Sequence, residues 1–177
     1  MHPRSVAPGV VGIVASVVGA AAALVSTHDY ALHLDRQLHG THCSFIPGLG
    51  DASADNACTA ALQSPYAALL KARFWGGVPI SLFAIGAFAF TASLALYLVL
   101  AREKASKRTR LAYFLVSLGP FAASGLMFGI SAIELGQFCK TCVVIYAASL
   151  GLLTSGILAL ASTRNPFAAV PRPVPPP

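Results

Sequence analysis

Residues Phe74–Ala101 read FWGGVPISLFAIGAFAFTASLALYLVLA, which is 28 residues without one charged side chain. A helix needs about 20 mostly apolar residues to cross a bilayer. Backbone amides in lipid must bond within their own segment, and barrel strands would alternate apolar and polar side chains, so this run predicts a membrane-spanning helix. Three further uncharged windows of spanning length are Val6–Ser26, Leu111–Ile133 and Thr141–Thr163.

The four windows predict an all-α membrane protein, a four-transmembrane-helix bundle in a single integral membrane domain over residues 1–177. Composition agrees, because 56% of the residues are hydrophobic and only 10% are charged, against about 45–50% and 25% in soluble domains. A soluble enzyme, a disordered chain and a free nucleic-acid binder are therefore disfavoured. We expect spans at about 6–26, 76–101, 111–133 and 140–163, an extracytoplasmic loop over 27–75 and a disordered tail over 165–177.

The few charged residues indicate the orientation in the membrane. Of the 12 basic residues, most fall on the side of the two termini and the 102–110 loop, whereas most acidic residues fall on the other side. The positive-inside rule then places both termini in the cytoplasm of what we expect to be a bacterial plasma membrane. The 102–110 run is expected to contact lipid headgroups rather than nucleic acid. The first window is longer than a signal-peptide core of about 7–15 residues, so a retained span is favoured over a cleaved leader.

The 27–75 loop is predicted to be partly helical and to cap the bundle. Its middle is rich in glycine, proline and aspartate and is expected to be irregular. Its last part predicts a short amphipathic helix with Pro65 early in it or breaking it. The apolar face of that helix would carry Leu62, Tyr66, Leu69 and Leu70.

All four cysteines lie on the extracytoplasmic side under this topology, where disulfides form and persist. Cys139 and Cys142 form a C-x-x-C at the start of the fourth span, and we expect the helix N-terminus and Lys140 to lower their pKa. Cys43 and Cys58 enclose 14 residues. They would either form a stabilising disulfide worth ~3 kcal/mol or carry a thiol to Cys139. A four-cysteine zinc site and two purely structural disulfides are the alternatives.

Histidines crowd the segment that leads to Cys43. A metal site at His39-Gly-Thr-His42-Cys43 is one interpretation, but interfacial histidines on a wet surface are the favoured one, and no metal is expected. A milder hypothesis is that His42 lowers the pKa of Cys43. The segment contains His28, His33, His39 and His42.

Two motifs resemble a known family. Phe138-Cys139-x-x-Cys142-x-x-x-Tyr146-Ala147 is similar to the fourth-helix motif of the vitamin K epoxide reductase family. Cys58-x5-Ser64-x-Tyr66-Ala67, followed by Gly77-x-Pro79, resembles its bacterial branch. The resemblance covers about Cys43 to Gly151, although the two loop cysteines lie further apart than is usual in the family.

The resemblance implies a bundle that holds a quinone, either ubiquinone or menaquinone, beside the fourth-helix cysteines. Cys142 would face the quinone, Cys139 would exchange with Cys58, and Cys43 would meet a thioredoxin-fold partner. Because the chain ends soon after the fourth span, we expect that partner to be a separate protein.

The resemblance also suggests which residues contact the quinone. The second span lacks the Asn that animal members use to bond the quinone, and Ser81 lies near that place. Tyr146, one helical turn from Cys142, is the better candidate, and Phe138 is a third. Supporting roles are expected for Ser64, which would bond backbone in the loop or only stabilise a turn, and for Lys140.

The sequence thus predicts a quinone-dependent thiol–disulfide oxidoreductase. It would pass electrons from the thioredoxin-fold partner through two cysteine pairs to a membrane quinone and so support disulfide bond formation. The first alternative is a reductase of a vitamin K-type quinone or its epoxide that uses external thiols. The alternatives of another class are a disulfide-stapled membrane interaction protein and a metal-binding carrier.

Overall fold

The structure, a computed structural model, describes residues 6–35, 61–70, 73, 76–101, 104–136 and 138–162. Each of its four long helices is long and apolar enough to cross a membrane. The predicted all-α membrane bundle is therefore confirmed. The helices are α1 (Ala7–Leu34), α2 (Ile80–Ala101), α3 (Lys107–Ile130) and α4 (Lys140–Ala161).

Helix α1 holds the bundle together because it packs closely against both α2 and α4, while α4 also packs against α3. Hydrogen bonds between side chains join these helices across the core. Ser16 on α1 lies 3.3 Å from Thr91 on α2, and Tyr113 Oη on α3 lies 2.8 Å from Ser155 Oγ on α4. Small residues and polar bridges are the usual means of helix association in lipid, where there is no hydrophobic drive between helices.

The first helix extends beyond its predicted end at residue 26 and continues to Leu34. Two of the polar residues that follow Ser26, Thr27 and Tyr30, form hydrogen bonds inside the protein. Thr27 Oγ1 lies 2.8 Å from both Ala23 O and Ser81 Oγ, and the Tyr30 hydroxyl donates to Gly76 O at 2.5 Å. These bonds join the end of α1 to the start of α2, so the backbone stays helical through a polar stretch.

The prediction of an amphipathic helix near Leu62–Leu70 is wrong over most of that stretch. Among the described residues of this stretch only 61–63 are helical, and the chain then turns into a two-residue strand, β1 (Ala68–Leu69). Pro65 has no N–H to continue a helix, which explains the turn. Strand β1 pairs antiparallel with β2 (Val78–Pro79), directly before α2. This cap, the described residues 61–70 with β2, lies over the end of the bundle where α4 begins.

The third span ends in a π-helical segment, Ser131–Leu135, that follows α3 directly. Gly136 has a φ of 60°, a left-handed conformation that ends the segment and that glycine adopts without strain. The chain therefore turns sharply into α4. This turn sets Ser131 opposite the first turns of α4.

A close approach at Gly12 gives the first testable prediction. A Cβ added at Gly12 would overlap the Tyr113 hydroxyl and lie 2.9 Å from Ser155 Oγ. We expect Gly12→Ala to lower the free energy of unfolding by about 1–3 kcal/mol, because it overpacks the contact that joins three helices. Thermal unfolding in detergent measures the change.

Gly86→Ala is the matched control for this prediction. Nothing lies within 4 Å of a Cβ added at Gly86 on α2. Alanine there is expected to be neutral or to stabilise the helix by up to about 1 kcal/mol. Equal stabilities of the two variants would contradict the packing described for α1.

Candidate active site

The Cys139–Cys142 pair lies at the start of α4, under the cap. Cys139 is the N-cap residue of the helix, and Cys142 is in its first turn. Cys139 is only 7% exposed and packs against Ala61, Leu62 and Cys142. Both cysteines are free thiols. The cap therefore covers the pair that the C-x-x-C motif predicts to be reactive.

Hydrogen bonds give the two thiols different acidities. The Cys142 thiol donates to the Cys139 sulfur, and the Thr141 hydroxyl lies 2.8 Å from that sulfur. The bond from Cys142 is the largest cause that lowers the pKa of Cys139 to about 6, Thr141 adds to it, and burial opposes both. The predicted lowering of the pKa thus holds for Cys139, and the backbone N–H groups of Thr141 and Cys142 at the helix start contribute to it as expected. The side-chain hydrogen bonds are the larger contributions, and Lys140 is not among the causes.

The acidity of Cys139 gives the second prediction. A thiolate reacts with alkylating reagents and a thiol does not, so alkylation of Cys139 should rise with pH through a midpoint of about 6, below the usual ~8.5 of a cysteine. At neutral pH most of Cys139 should already be thiolate. Site-resolved mass spectrometry after brief iodoacetamide treatment of the reduced protein measures the midpoint.

Two variants separate the causes of this acidity. Thr141→Val removes a hydroxyl donor and should move the midpoint to higher pH, because the thiolate loses one stabilising bond. Lys140→Gln changes a neighbouring charge and should leave the midpoint nearly unchanged. A midpoint that follows Lys140 and ignores Thr141 would show that charge, rather than hydrogen bonding, acidifies Cys139.

A cavity of about 440 Å³ opens beside the cysteine pair. This volume lies in the range of small-molecule sites, about 300–1,000 Å³. The wall is mostly apolar, and all four helices and the cap contribute to it. Its residues include Ser26, Asp29 and Tyr30 of α1, Ser64 and Tyr66 of the cap, Ser81, Phe88 and Thr91 of α2, Ser124 and Met127 of α3, and Cys142, Ile145 and Tyr146 of α4.

Tyr146 and Cys142 form the reactive part of the cavity wall. The Tyr146 hydroxyl lies within hydrogen-bonding reach of the Cys142 sulfur and 3.5 Å from Ser131 Oγ. A bond of 3.5 Å is long and weak, so the hydroxyl can turn towards a ligand at little cost. A carbonyl oxygen that accepts from Tyr146 would bring its carbon skeleton next to the Cys142 sulfur.

The structure places the other predicted quinone-binding residues in different surroundings. Ser81 lines the cavity, and its hydroxyl oxygen accepts a hydrogen bond from Thr27. Phe138 lies outside the wall; its ring packs on Phe128 at 5.1 Å, and Phe128 in turn meets the Tyr146 ring edge-on at 5.8 Å. Phe138 thus supports Tyr146 through Phe128.

The supporting residues also have defined positions. Ser64 Oγ donates to Ala61 O at 2.9 Å, which holds the turn of the cap. Lys140 is exposed at the first residue of α4 and is outside the cavity wall. Cys43 and Cys58 fall outside the described residues, as do His39 and His42.

The cavity wall contains residues that the sequence reasoning missed. Thr141 bonds the reactive sulfur, Ser131 bonds Tyr146, and the carboxylate of Asp29 is 1% exposed. The position of Asp29 could have been predicted, because the helical period of α1, continued through Ala22 and Ser26, places Asp29 on the same face of the helix. Within the described part of the chain, no three His, Cys, Asp or Glu side chains group closely enough to hold a metal ion.

These features define a class: a four-helix membrane protein with a pair of thiols, one of them acidic, at the wall of a mostly apolar cavity. The model of the vitamin K epoxide reductase family matches residues 10–157. The chain belongs to this family, whose members are oxidoreductases of membranes that use quinones and work with thioredoxin-like partners. Among curated proteins, none matches the chain.

Proposed function

We propose that this protein oxidises thiols on the extracytoplasmic side of the membrane and transfers their electrons to a quinone in the cavity. The observation that carries the proposal is the position of Cys142, which lies between the acidic Cys139 and the Tyr146 hydroxyl at the cavity wall. A nucleophile, its exchange partner and a hydrogen-bond donor for a carbonyl oxygen are thus adjacent.

The chemistry of the wall fits a quinone. The wall is apolar over most of its surface, as a fused or substituted ring with an isoprenoid tail requires, and the Tyr146 hydroxyl is a polar group of the wall within reach of the Cys142 sulfur. A bound quinone supplies an acceptor for two electrons and two protons. The Cys142 sulfur would bond to the ring while Tyr146 donates to an oxygen of the ring. The Cys139 thiolate would then attack the Cys142 sulfur, so that the S–S bond forms, the bond from sulfur to the ring breaks and both electrons remain on the reduced ring.

The outer half of the proposed relay uses the loop cysteines. Cys58 would re-reduce the Cys139–Cys142 disulfide by attack at the Cys139 sulfur, which forms a Cys58–Cys139 mixed disulfide and releases Cys142 as the leaving thiolate. Cys43 would accept electrons from a separate thioredoxin-fold protein. The charge distribution supports the required orientation, with both termini in the cytoplasm and the cysteines outside. The net reaction makes one disulfide in the partner and one quinol in the membrane.

A steady-state assay tests this function. The purified protein in lipid nanodiscs, supplied with dithiothreitol, should form quinol from short-chain ubiquinone or menaquinone analogues at a rate proportional to protein concentration. Vitamin K epoxide offered in parallel tests the alternative reductase activity. Turnover of the epoxide alone would replace the proposal with that alternative, and turnover of neither substrate would contradict a redox function.

A further inference from the structure

A buried carboxylate lies in the wall of the cavity and has no place in the chemistry above. Asp29 is in the last part of α1, and its side chain is 1% exposed. Among the described residues that line the cavity, it is the only Asp, Glu, Lys or Arg. Burial of a carboxylate in a membrane protein is costly, and such residues mark proton or substrate paths.

Proton balance shows what the redox step lacks. Reduction of a quinone to a quinol consumes two electrons and two protons. With a pKa of about 6, Cys139 has already lost its proton to solution at neutral pH, so a Cys139 thiolate and a Cys142 thiol release two electrons and only one proton when they join as a disulfide. The second proton must come from another group.

We propose that Asp29 delivers this second proton to the cavity and recovers it from the extracytoplasmic solution through His28. The inference rests on the proposed function, since it assigns a donor to that reaction. His28 Nδ1 lies 3.9 Å from Asp29 Oδ1, and the His28 side chain is 64% exposed. The pair therefore connects solvent to the cavity at the end of the bundle where the cysteines lie.

The other titratable groups of the wall are less suited to this task. The Tyr30 hydroxyl donates to Gly76 O, and the Tyr66 hydroxyl donates to Glu134, 3.3 Å away. The Tyr146 hydroxyl can pass its proton on, but it then needs one in return. Besides Asp29, the titratable side chains that face the cavity are Tyr30 from α1, Tyr66 from the cap, and Cys139, Cys142 and Tyr146 from α4 and its N-cap; the described wall residues of α2 and α3 supply none.

Asp29→Asn tests the inference, with Asp35→Asn as its matched control. Asp35 is an exposed aspartate just beyond the same helix and is not in the cavity wall. Asp29→Asn should slow quinol formation by about 10²-fold, the usual contribution of a positioned acid. The rate of quinol formation by Asp29→Asn should also fall about tenfold per pH unit as pH rises, because protons from solution must replace the proton of the missing carboxyl group. Asp35→Asn should behave like the wild type.

Four further readouts separate proton delivery from a structural role. Asp29→Glu should restore most of the rate, and added formate should partly rescue Asp29→Asn. Oxidation of the Cys139–Cys142 pair by diamide, which bypasses the quinone, should be unchanged in Asp29→Asn. In wild-type protein, the infrared difference spectrum between the dithiol and disulfide states should contain the carbonyl band of a protonated carboxyl group, and Asp29→Asn should lack it.

The outcomes distinguish this inference from the proposed function. A wild type that forms no quinol contradicts the function and the inference together. Wild-type rates and pH dependence in Asp29→Asn contradict the inference alone. A third outcome is that Asp29→Asn loses activity, formate does not restore it, Asp29→Glu is equally inactive and oxidation by diamide is altered. This outcome would show that Asp29 only maintains the fold, and it would also overturn the inference.

Discussion

Replacing Cys142 by serine should lower quinone-linked thiol oxidation by at least about 10³-fold, because the variant lacks the cavity-lining thiol that we propose reduces the quinone. Serine is similar in size, and its hydroxyl can still donate to the Cys139 sulfur as the Cys142 thiol does. The Cys139 thiolate should therefore persist. The rate of quinol formation with excess dithiothreitol measures the loss.

Alkylation of Cys139 shows whether the Cys142→Ser variant is folded. In Cys142→Ser, alkylation of Cys139 should still occur at neutral pH, which shows that the start of α4 is intact while turnover is lost. Thr154→Ala, a change at an exposed residue of the same helix, is expected to keep the wild-type rate. A Cys142→Ser protein with more than about a tenth of wild-type activity would mean that Cys142 is not the group that reduces the quinone.

Tyr146→Phe should lower the maximal rate of quinol formation by about 10²-fold, the size expected when a donor to developing negative charge is removed. The change removes only the hydroxyl. It leaves the ring in place, with its edge-on contact to Phe128. Because charge develops on the quinone oxygen during reduction, we expect kcat to fall more than KM rises.

Tyr97→Phe provides the comparison. Tyr97 is on α2, is 51% exposed and lies outside the cavity wall, so the loss of its hydroxyl should leave kcat and KM unchanged. If Tyr146→Phe raised KM alone, Tyr146 would contribute only to binding. If it changed neither constant, the quinone would not be held by Tyr146.

Much of the fold could be predicted because its signals are local. Each uncharged window of about 20 residues must become a helix in lipid, and the spacing of Cys139, Cys142 and Tyr146 places them on adjoining turns of one helix. These three residues follow one another along α4 and line one cavity, as their order in the motif indicates.

The remaining features depend on contacts between distant parts of the chain. The end of α1 could not be located from its own residues, because Ser81 and Gly76 of the next span bond Thr27 and Tyr30 and keep the helix going. The cap departs from a helix because Pro65 cannot continue one and because Ala68–Leu69 pairs with the distant Val78–Pro79. Phe138 was expected to touch the quinone, but its ring packs on Phe128.

Direct reduction of a quinone by the Cys139–Cys142 dithiol can be followed in a single turnover. Reduced protein in which Cys43 and Cys58 are both serine is mixed anaerobically with a short-chain quinone. Quinol absorbance and the Cys139–Cys142 disulfide, quantified by mass spectrometry, are followed together. We predict that both appear at the same rate and in a one-to-one ratio. Quinol that forms while both thiols stay free, or a disulfide that forms without quinol, would contradict the account.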